Sequence, residues 1–408
     1  MKREVEIRGA KHEEVRKFLD LLESLENTNE DAEKYKLFIK ARYPYFPPEY
    51  IRIAVSDGEV LAGLLILPEF VKLGESRFKT AVVGKVFSSN FNNYKGIASR
   101  IIRDSLHYIE KHKFNFSYIF RVPRMYQRFG FVPTFFEYHF DLRVRKKVLK
   151  RLEPTAYEYR IRRVKPADVP VIQKIHDYCE EGISYSILRT HSHYSLKWRE
   201  IKNMFVIFDI LGRIHGYFYF DIEWKQILTV KEVGCLSRES FEPLFYFILK
   251  WAERFGCMYV RFLVPPEFQM LNWLKEAGFS LSPCAISRSA IGMATIHNTE
   301  ETLQCLIPEW EKLLHLSDLK YKELELTLLL DSGTFNIFAR NGDILISNRL
   351  GKNKITIGRD ELTYLVMGLE SGEDLINEGI IGISDDAKQL IKILFPKRYP
   401  YIWSMDRL

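Results

Sequence analysis

Two hydrophobic periods alternate along the first third of the chain. Val5 to Arg8 predicts a strand. From His12 to Leu25 the apolar residues Val15, Phe18, Leu22 and Leu25 recur at helical spacing. Ile51 to Val55 and Val60 to Leu67 flank Asp57-Gly58, a dipeptide suited to a tight hairpin, so strand, turn and strand are expected there. Ala81 to Phe87 predicts another strand, and Gly96 opens a helix striped by Ile97, Ile101, Leu106 and Ile109. Phe116 to Phe120 predicts a strand, a short helix follows around Tyr126, and β character returns from Phe131 to Leu142.

The middle third repeats this plan. Ile7-Arg8-Gly9-Ala10-Lys11 with Glu14-Val15 matches Ile161-Arg162-Arg163-Val164-Lys165 with Asp168-Val169. The hairpin around Asp57-Gly58 and Gly63 matches Phe205 to Phe208, Gly212 and Gly216. Arg121-Val122-Pro123 with Phe129-Gly130-Phe131 matches Leu263-Val264-Pro265 with Ala277-Gly278-Phe279. Two copies of one α/β unit is the economical reading. From about Ile291 the order changes. A helix from Thr299 to Leu314, which Pro308 can kink, precedes strands at Leu324–Leu330, Thr334–Ala339, Asp343–Ile346 and Lys354–Ile357. Helices from Asp360 to Gly368 and from Asp385 to Leu394 follow, an α+β order. Three units are expected, at 1–145, 146–290 and 291–408.

Composition narrows the class. Hydrophobic residues are 47% and charged residues 28%, ordinary for a globular protein and unlike a disordered or fibrous one. The net charge of +7 is mild over 408 residues. It suits an acidic ligand such as a nucleotide phosphate and gives no ground for nucleic-acid binding. Met1-Lys2-Arg3-Glu4-Val5-Glu6-Ile7-Arg8 lacks the apolar run of a signal peptide, and no stretch is long and apolar enough to span a bilayer, so cytoplasmic residence is expected. The cysteines (Cys179, Cys235, Cys257, Cys284, Cys305) form no CxxC pair and read as buried thiols. His191-Ser192-His193 has no accompanying carboxylate or cysteine cluster, so no metal is expected.

The sharpest local feature runs from Val86 to Ser99, a strand entering a loop whose Gly96 and Ala98 stand where a helix begins. Free amides and the positive end of a helix suit a pyrophosphate, and Lys95 adds a cation. About thirty residues on comes Tyr126-Gln127-Arg128-Phe129-Gly130-Phe131. In this order and spacing the two elements resemble the GNAT superfamily of N-acetyltransferases. Its phosphate loop matches Asn93-Tyr94-Lys95-Gly96-Ile97-Ala98, with Asn93 replacing the usual Arg or Gln, and its later tyrosine matches Tyr126.

The resemblance implies acetyl-CoA as donor and a primary amine as acceptor. It places the cofactor on Val86, Phe87, Ser88, Asn93, Tyr94, Lys95, Gly96, Ile97, Ala98, Ser99, Arg121 and Val122. The pantetheine arm would pair in β fashion with Val86 to Ser88. An acetyltransferase unit, a degenerate copy and a sterol-carrier-like α+β module together resemble the enhanced intracellular survival (Eis) family, over nearly the whole chain. The fold class expected is thus α/β and α+β, with two tandem GNAT-type domains before the third module. That family implies a homohexamer, and polyamine-like or aminoglycoside-like acceptors. It further implies Tyr126 as proton donor and the carboxylate of Leu408 as proton acceptor, where many members end in Phe.

In the second copy Leu236-Ser237-Arg238-Glu239-Ser240 replaces the glycine loop, and Leu274 stands where Tyr126 would be, so one active site per chain is expected. Glu23, Glu26, Glu30, Asp31 and Glu33 form an acidic insertion able to attract a cationic acceptor or simply to face solvent. Two rival readings are a protein or peptide lysine acetyltransferase, and a non-catalytic lipid- or CoA-binding protein.

Overall fold

The computed structural model describes residues 5–25, 30–42, 46–88, 96–120, 124–181, 183–189, 203–223, 226–276, 282–284, 290–379 and 382–407. Among them the strands form three sheets. In the first, the order is β1 (Glu6–Gly9), β2 (Ile51–Ser56), β3 (Glu59–Leu73), β4 (Ser76–Val83), β6 (Phe116–Phe120), β16 (Gly292–Ile296) and β7 (Val132–Phe135). Both β5 (Phe87–Ser88) and β10 (Tyr185–Ile187) add to β3. The second sheet runs β15 (Ser282–Cys284), β8 (His139–Arg143), β14 (Tyr259–Leu263), β13 (Ile227–Cys235), β12 (Ile214–Glu223), β11 (Met204–Asp209) and β9 (Tyr159–Arg163). The third runs β19 (Asp343–Ser347), β18 (Gly333–Arg340), β17 (Leu324–Leu330) and β20 (Lys354–Thr356).

The helices are α1 (His12–Leu25), α2 (Glu30–Arg42) and α3 (Ile97–Lys111), then α4 (Lys146–Leu152), α5 (Val169–Glu180), α6 (Arg238–Arg254) and α7 (Gln269–Glu276). After these come α8 (Thr299–His315), α9 (Arg359–Met367), α10 (Gly372–Asn377) and α11 (Asp385–Leu394). Helix α1 buries Val15, Phe18, Leu21 and Leu22. Helix α8 runs through Pro308 without a break, and α9 ends on Gly368 at φ 76°, a left-handed cap that favours glycine.

The internal repeat extends to single side chains. Arg8 holds Glu14 through two hydrogen bonds of 2.7 and 2.8 Å, and the Lys11 amide donates to the same carboxylate. Arg162 holds Asp168 through bonds of 2.6 and 2.9 Å, and the Lys165 amide donates there too. Each carboxylate ties the first strand of its unit to the turn before its first helix. The sheets match as well: β1-β2-β3-β4-β6 and β9-β11-β12-β13-β14 have the same order, each with one parallel pair, β4–β6 and β13–β14.

Strand alternation does not reveal which sheet a strand joins, and here two strands cross over. β8, just after β7, inserts between β14 and β15; β16, just after β15, inserts between β6 and β7. β8, from the first expected unit, joins the second sheet and β16, from the start of the third, joins the first, so the sheets interlock across the sequence positions expected as boundaries. Strand β3 also outruns its expected end at Leu67. Pro68 is accommodated opposite Ala81, and pairing with β4 continues to Leu73.

Candidate active site

The parallel strands β4 and β6 are paired only from Thr80–Phe116 to Val82–Tyr118. Beyond Val82 the chain stays with β3: the Gly84 amide donates to the Leu65 carbonyl at 2.8 Å, and Phe87 and Ser88 pair with Gly63 and Ala62. Strand β6 instead runs on beside β16 to Phe120. The sheet therefore splits, leaving two strand edges facing a wedge. Gly84 makes the split possible, because a Cβ there would stand 2.7 Å from the Leu65 oxygen and 2.8 Å from the Tyr35 ring. Sequence reasoning missed Gly84; its only signal was a glycine inside an apolar strand pattern. This bend is also why the strand expected at Ala81–Phe87 appears as two pieces.

Helix α3 opens at the mouth of the wedge. Gly96 takes φ 83°, which favours glycine, and a Cβ there would meet open space. Among the described residues no side chain caps this helix start, and its first turn carries no acidic residue. The amides of Ile97, Ala98 and Ser99 are thus left for an anion. Arg128, in the short helix Arg124–Phe129, donates to the Ser99 hydroxyl at 2.6 Å and brings an exposed cation to that turn. Arg128 was legible in the motif around Tyr126 but was not expected to act. These groups fit an acyl-CoA pyrophosphate.

Tyr126 lies in the same buried cluster as Val86 and Ile97, so strand, helix start and tyrosine meet at one place. It is 5% exposed, with its ring edge-on to Phe131 at 5.9 Å, and burial pushes its phenol up to about 12. On β6, Tyr118 donates a short hydrogen bond to Glu69. Burial, then Glu69, Tyr185 and Asp406, raises the Tyr118 phenol well above its ordinary value. The Leu188 amide donates to the Phe70 carbonyl of β3 at 2.9 Å, so the neighbouring Arg189 and its partner Asp406 are tied to the edge of the first sheet that carries Glu69.

Of the other expected site residues, Val86, Phe87 and Ser88 are buried along the wedge, and the Ser88 hydroxyl donates to the Leu61 carbonyl at 3.2 Å. Asn93, Tyr94, Lys95, Arg121, Val122 and Leu408 lie outside the described residues, as do His191 and His193. In the acidic insertion Glu23 and Glu33 are exposed.

The second unit has the same split, since β13 and β14 part after Val230–Phe262. Its helix start is closed. The Ser237 hydroxyl accepts from the Ser240 amide at 3.3 Å, and Glu239 puts a negative charge in the first turn of α6. Both features oppose a pyrophosphate. Among the described residues only a small pocket lies at this split, lined by Cys179, Gly234, Cys235, Phe268, Gln269, Met270 and Trp273.

Residues 6–134 match the family model described as an acetyltransferase (GNAT) domain. The whole chain superposes on a GCN5-related N-acetyltransferase from Anabaena variabilis with a TM-score of 0.70 at 15% identity, covering 99% of this chain and 100% of that one. A probable N-acyltransferase from Enterococcus faecalis gives 0.69 at 17%, again over 99% and 100%. Eis1 from Mycobacterium abscessus gives 0.62 at 11%, with the same coverage. No curated protein matches the chain in sequence. Residues 6–134 thus carry a GNAT-type acetyltransferase domain, and the whole chain shares the fold of these N-acyltransferase structures. More narrowly, its fold from end to end is also that of Eis1. GNAT domains take an acyl-CoA donor, and no helix among the described residues is long and apolar enough to cross a membrane.

Proposed function

We propose that this chain transfers the acetyl group of acetyl-CoA to a primary amine of a small polyamine-like or aminoglycoside-like acceptor, in the cytoplasm. The observation that carries the reading is the wedge between β5 and β6, where the uncapped start of α3 and Tyr126 meet. Pyrophosphate would rest on the amides after Gly96 and beside Arg128. The pantetheine arm would lie along Val86 to Ser88, where an extended amide chain can complete the open strand edge.

Acetyl-CoA supplies the acyl carbon; the new C–N bond forms as the C–S bond breaks. The amine must lose a proton, which we assign to the carboxylate of Leu408, since Asp406 just before it is held by Arg189, whose neighbour Leu188 is bonded to Phe70 of the first sheet. Tyr126 would face the departing sulfur. With its phenol at about 12 against about 8.5 for a thiol, full proton transfer would run uphill by about 5 kcal/mol. Tyr126 therefore acts by donating a hydrogen bond that stabilises the thiolate while staying protonated itself. The third unit delivers the tail. Its inner residues Leu324, Leu326 and Leu328 are buried in the common core, which favours this role over holding a lipid.

The test is an acceptor screen that measures free CoA release with acetyl-CoA over polyamines, aminoglycosides and lysine peptides. Release with the first two classes supports the reading. Release with lysine peptides alone would replace it by a protein acetyltransferase, and acetyl-CoA binding without release would make the chain a binding protein. Light scattering tests the homohexamer that the Eis resemblance implies.

A further inference from the structure

The last ten described residues, Arg398 to Arg407, are fastened at five places. Arg398 donates to Glu309 of α8 at 2.6 Å, and the Tyr401 hydroxyl donates to the Leu263 carbonyl at the end of β14 at 2.8 Å. The Trp403 indole donates to Glu180 of α5 at 2.7 Å. Arg407 donates to Glu137, between β7 and β8, at 2.8 Å. Between these, Asp406 meets Arg189.

Arg189 is the hub. Its side chain is fully buried and bonds two carboxylates. Nη1 and Nη2 donate to Glu232 of β13 at 2.7 and 2.8 Å, while Nε and Nη2 donate to Asp406 at 2.9 and 2.7 Å. The Tyr217 hydroxyl also donates to Glu232, at 2.8 Å. Trp403 packs edge-on against Phe268 at 5.6 Å. The tail thus sits where β13 and β14 part, the position that the first unit gives to its cofactor wedge. A planar guanidinium can hold two carboxylates in fixed directions, as an ammonium cannot.

We propose that Arg189 is a positioning residue: it clasps Asp406 against Glu232 so that the second unit, having no cofactor of its own, holds the chain's terminus at the first unit's wedge. This rests on the reading of Leu408 as proton acceptor. The clasp fixes the residue two positions before Leu408, leaving one residue, Arg407, between the anchor and the carboxylate. Arg407 is itself held by Glu137 and by the Ile402 carbonyl at 2.9 Å.

The informative variant is Asp406→Asn in the full chain. It removes the tail's charge and leaves Arg189 paired with Glu232, so the core keeps a balanced ion pair. Amide hydrogen exchange of residues 398–407 should quicken about tenfold or more, with exchange elsewhere unchanged. With the amine that the acceptor screen identifies, kcat should fall about tenfold or more while KM for acetyl-CoA stays within about twofold. Asp406→Glu should restore part of the kcat. Appending a glycine after Leu408 converts its carboxylate to an amide, and adding Asp406→Asn to that chain should cost little more.

Unchanged tail exchange in Asp406→Asn overturns the clasp. Faster exchange with unchanged kcat, or losses that multiply in the combined variant, overturns the positioning role. Full turnover in the glycine-extended chain alone refutes the reading of Leu408, and tail exchange then still decides the clasp.

Discussion

Glu180 makes the tail's docking dependent on pH. Its carboxyl is buried on α5, with Oε1 accepting from the Trp403 indole and Oε2 without a partner among the described residues. Burial pushes its pKa from 4.5 up to about 8; Asp406 and Glu232 add to the rise, while Trp403 and Arg189 oppose it. Below pH 4.5 the folded and unfolded chains both hold this proton, and its contribution is constant. Between 4.5 and about 8 only the folded chain holds it, so stability falls as pH rises, by about 1.4 kcal/mol per unit. From pH 6 to pH 8 the loss is at most about 3 kcal/mol, and release of the tail alone would relieve part of it. Glu180→Gln cannot ionise and keeps the acceptor for Trp403. Unfolding midpoints of both proteins should therefore diverge between pH 6 and pH 8, the variant becoming the more stable by several degrees. Parallel midpoints at every pH would refute a protonated Glu180 in the folded chain.

Two predictions address the chemistry. Tyr126→Phe should lower kcat about 10- to 100-fold without changing acetyl-CoA affinity, as measured by CoA release and calorimetry; unchanged kcat would remove the hydroxyl from the reaction. A glycine appended after Leu408 should cut turnover on the order of 100-fold while acetyl-CoA still binds, and full activity would leave water or a side chain as the proton acceptor.

What the sequence made legible was local. The apolar stripe of α3 and its opening glycine, and the Arg8–Glu14 and Arg162–Asp168 pairs at equal spacing, carry their geometry in short-range order. The exchange of β8 and β16 had no such signal, because alternation marks a strand's faces and leaves its partner undefined. Gly84 was hidden for a related reason: it matters through the Leu65 carbonyl and the Tyr35 ring, both distant in sequence. Arg189, Glu232 and Asp406 are scattered over the last 220 residues, and only the folded chain brings them together. The candidate-site motif was readable as a helix start and a tyrosine. Arg128 was overlooked because an exposed arginine in a short helix looks like any solvated charge.

The claim on which the account turns is that the first unit alone holds acetyl-CoA, on the helix start after Gly96. Calorimetric titration of acetyl-CoA into the full chain and into Gly96→Glu tests it most directly. The φ of 83° disfavours any side chain there, and a carboxylate would stand against the pyrophosphate, so the folded variant should bind nothing measurable. The native chain should bind one molecule per chain, the capped start of α6 taking none. Two molecules per chain, or undiminished affinity in a folded Gly96→Glu protein, would contradict the account.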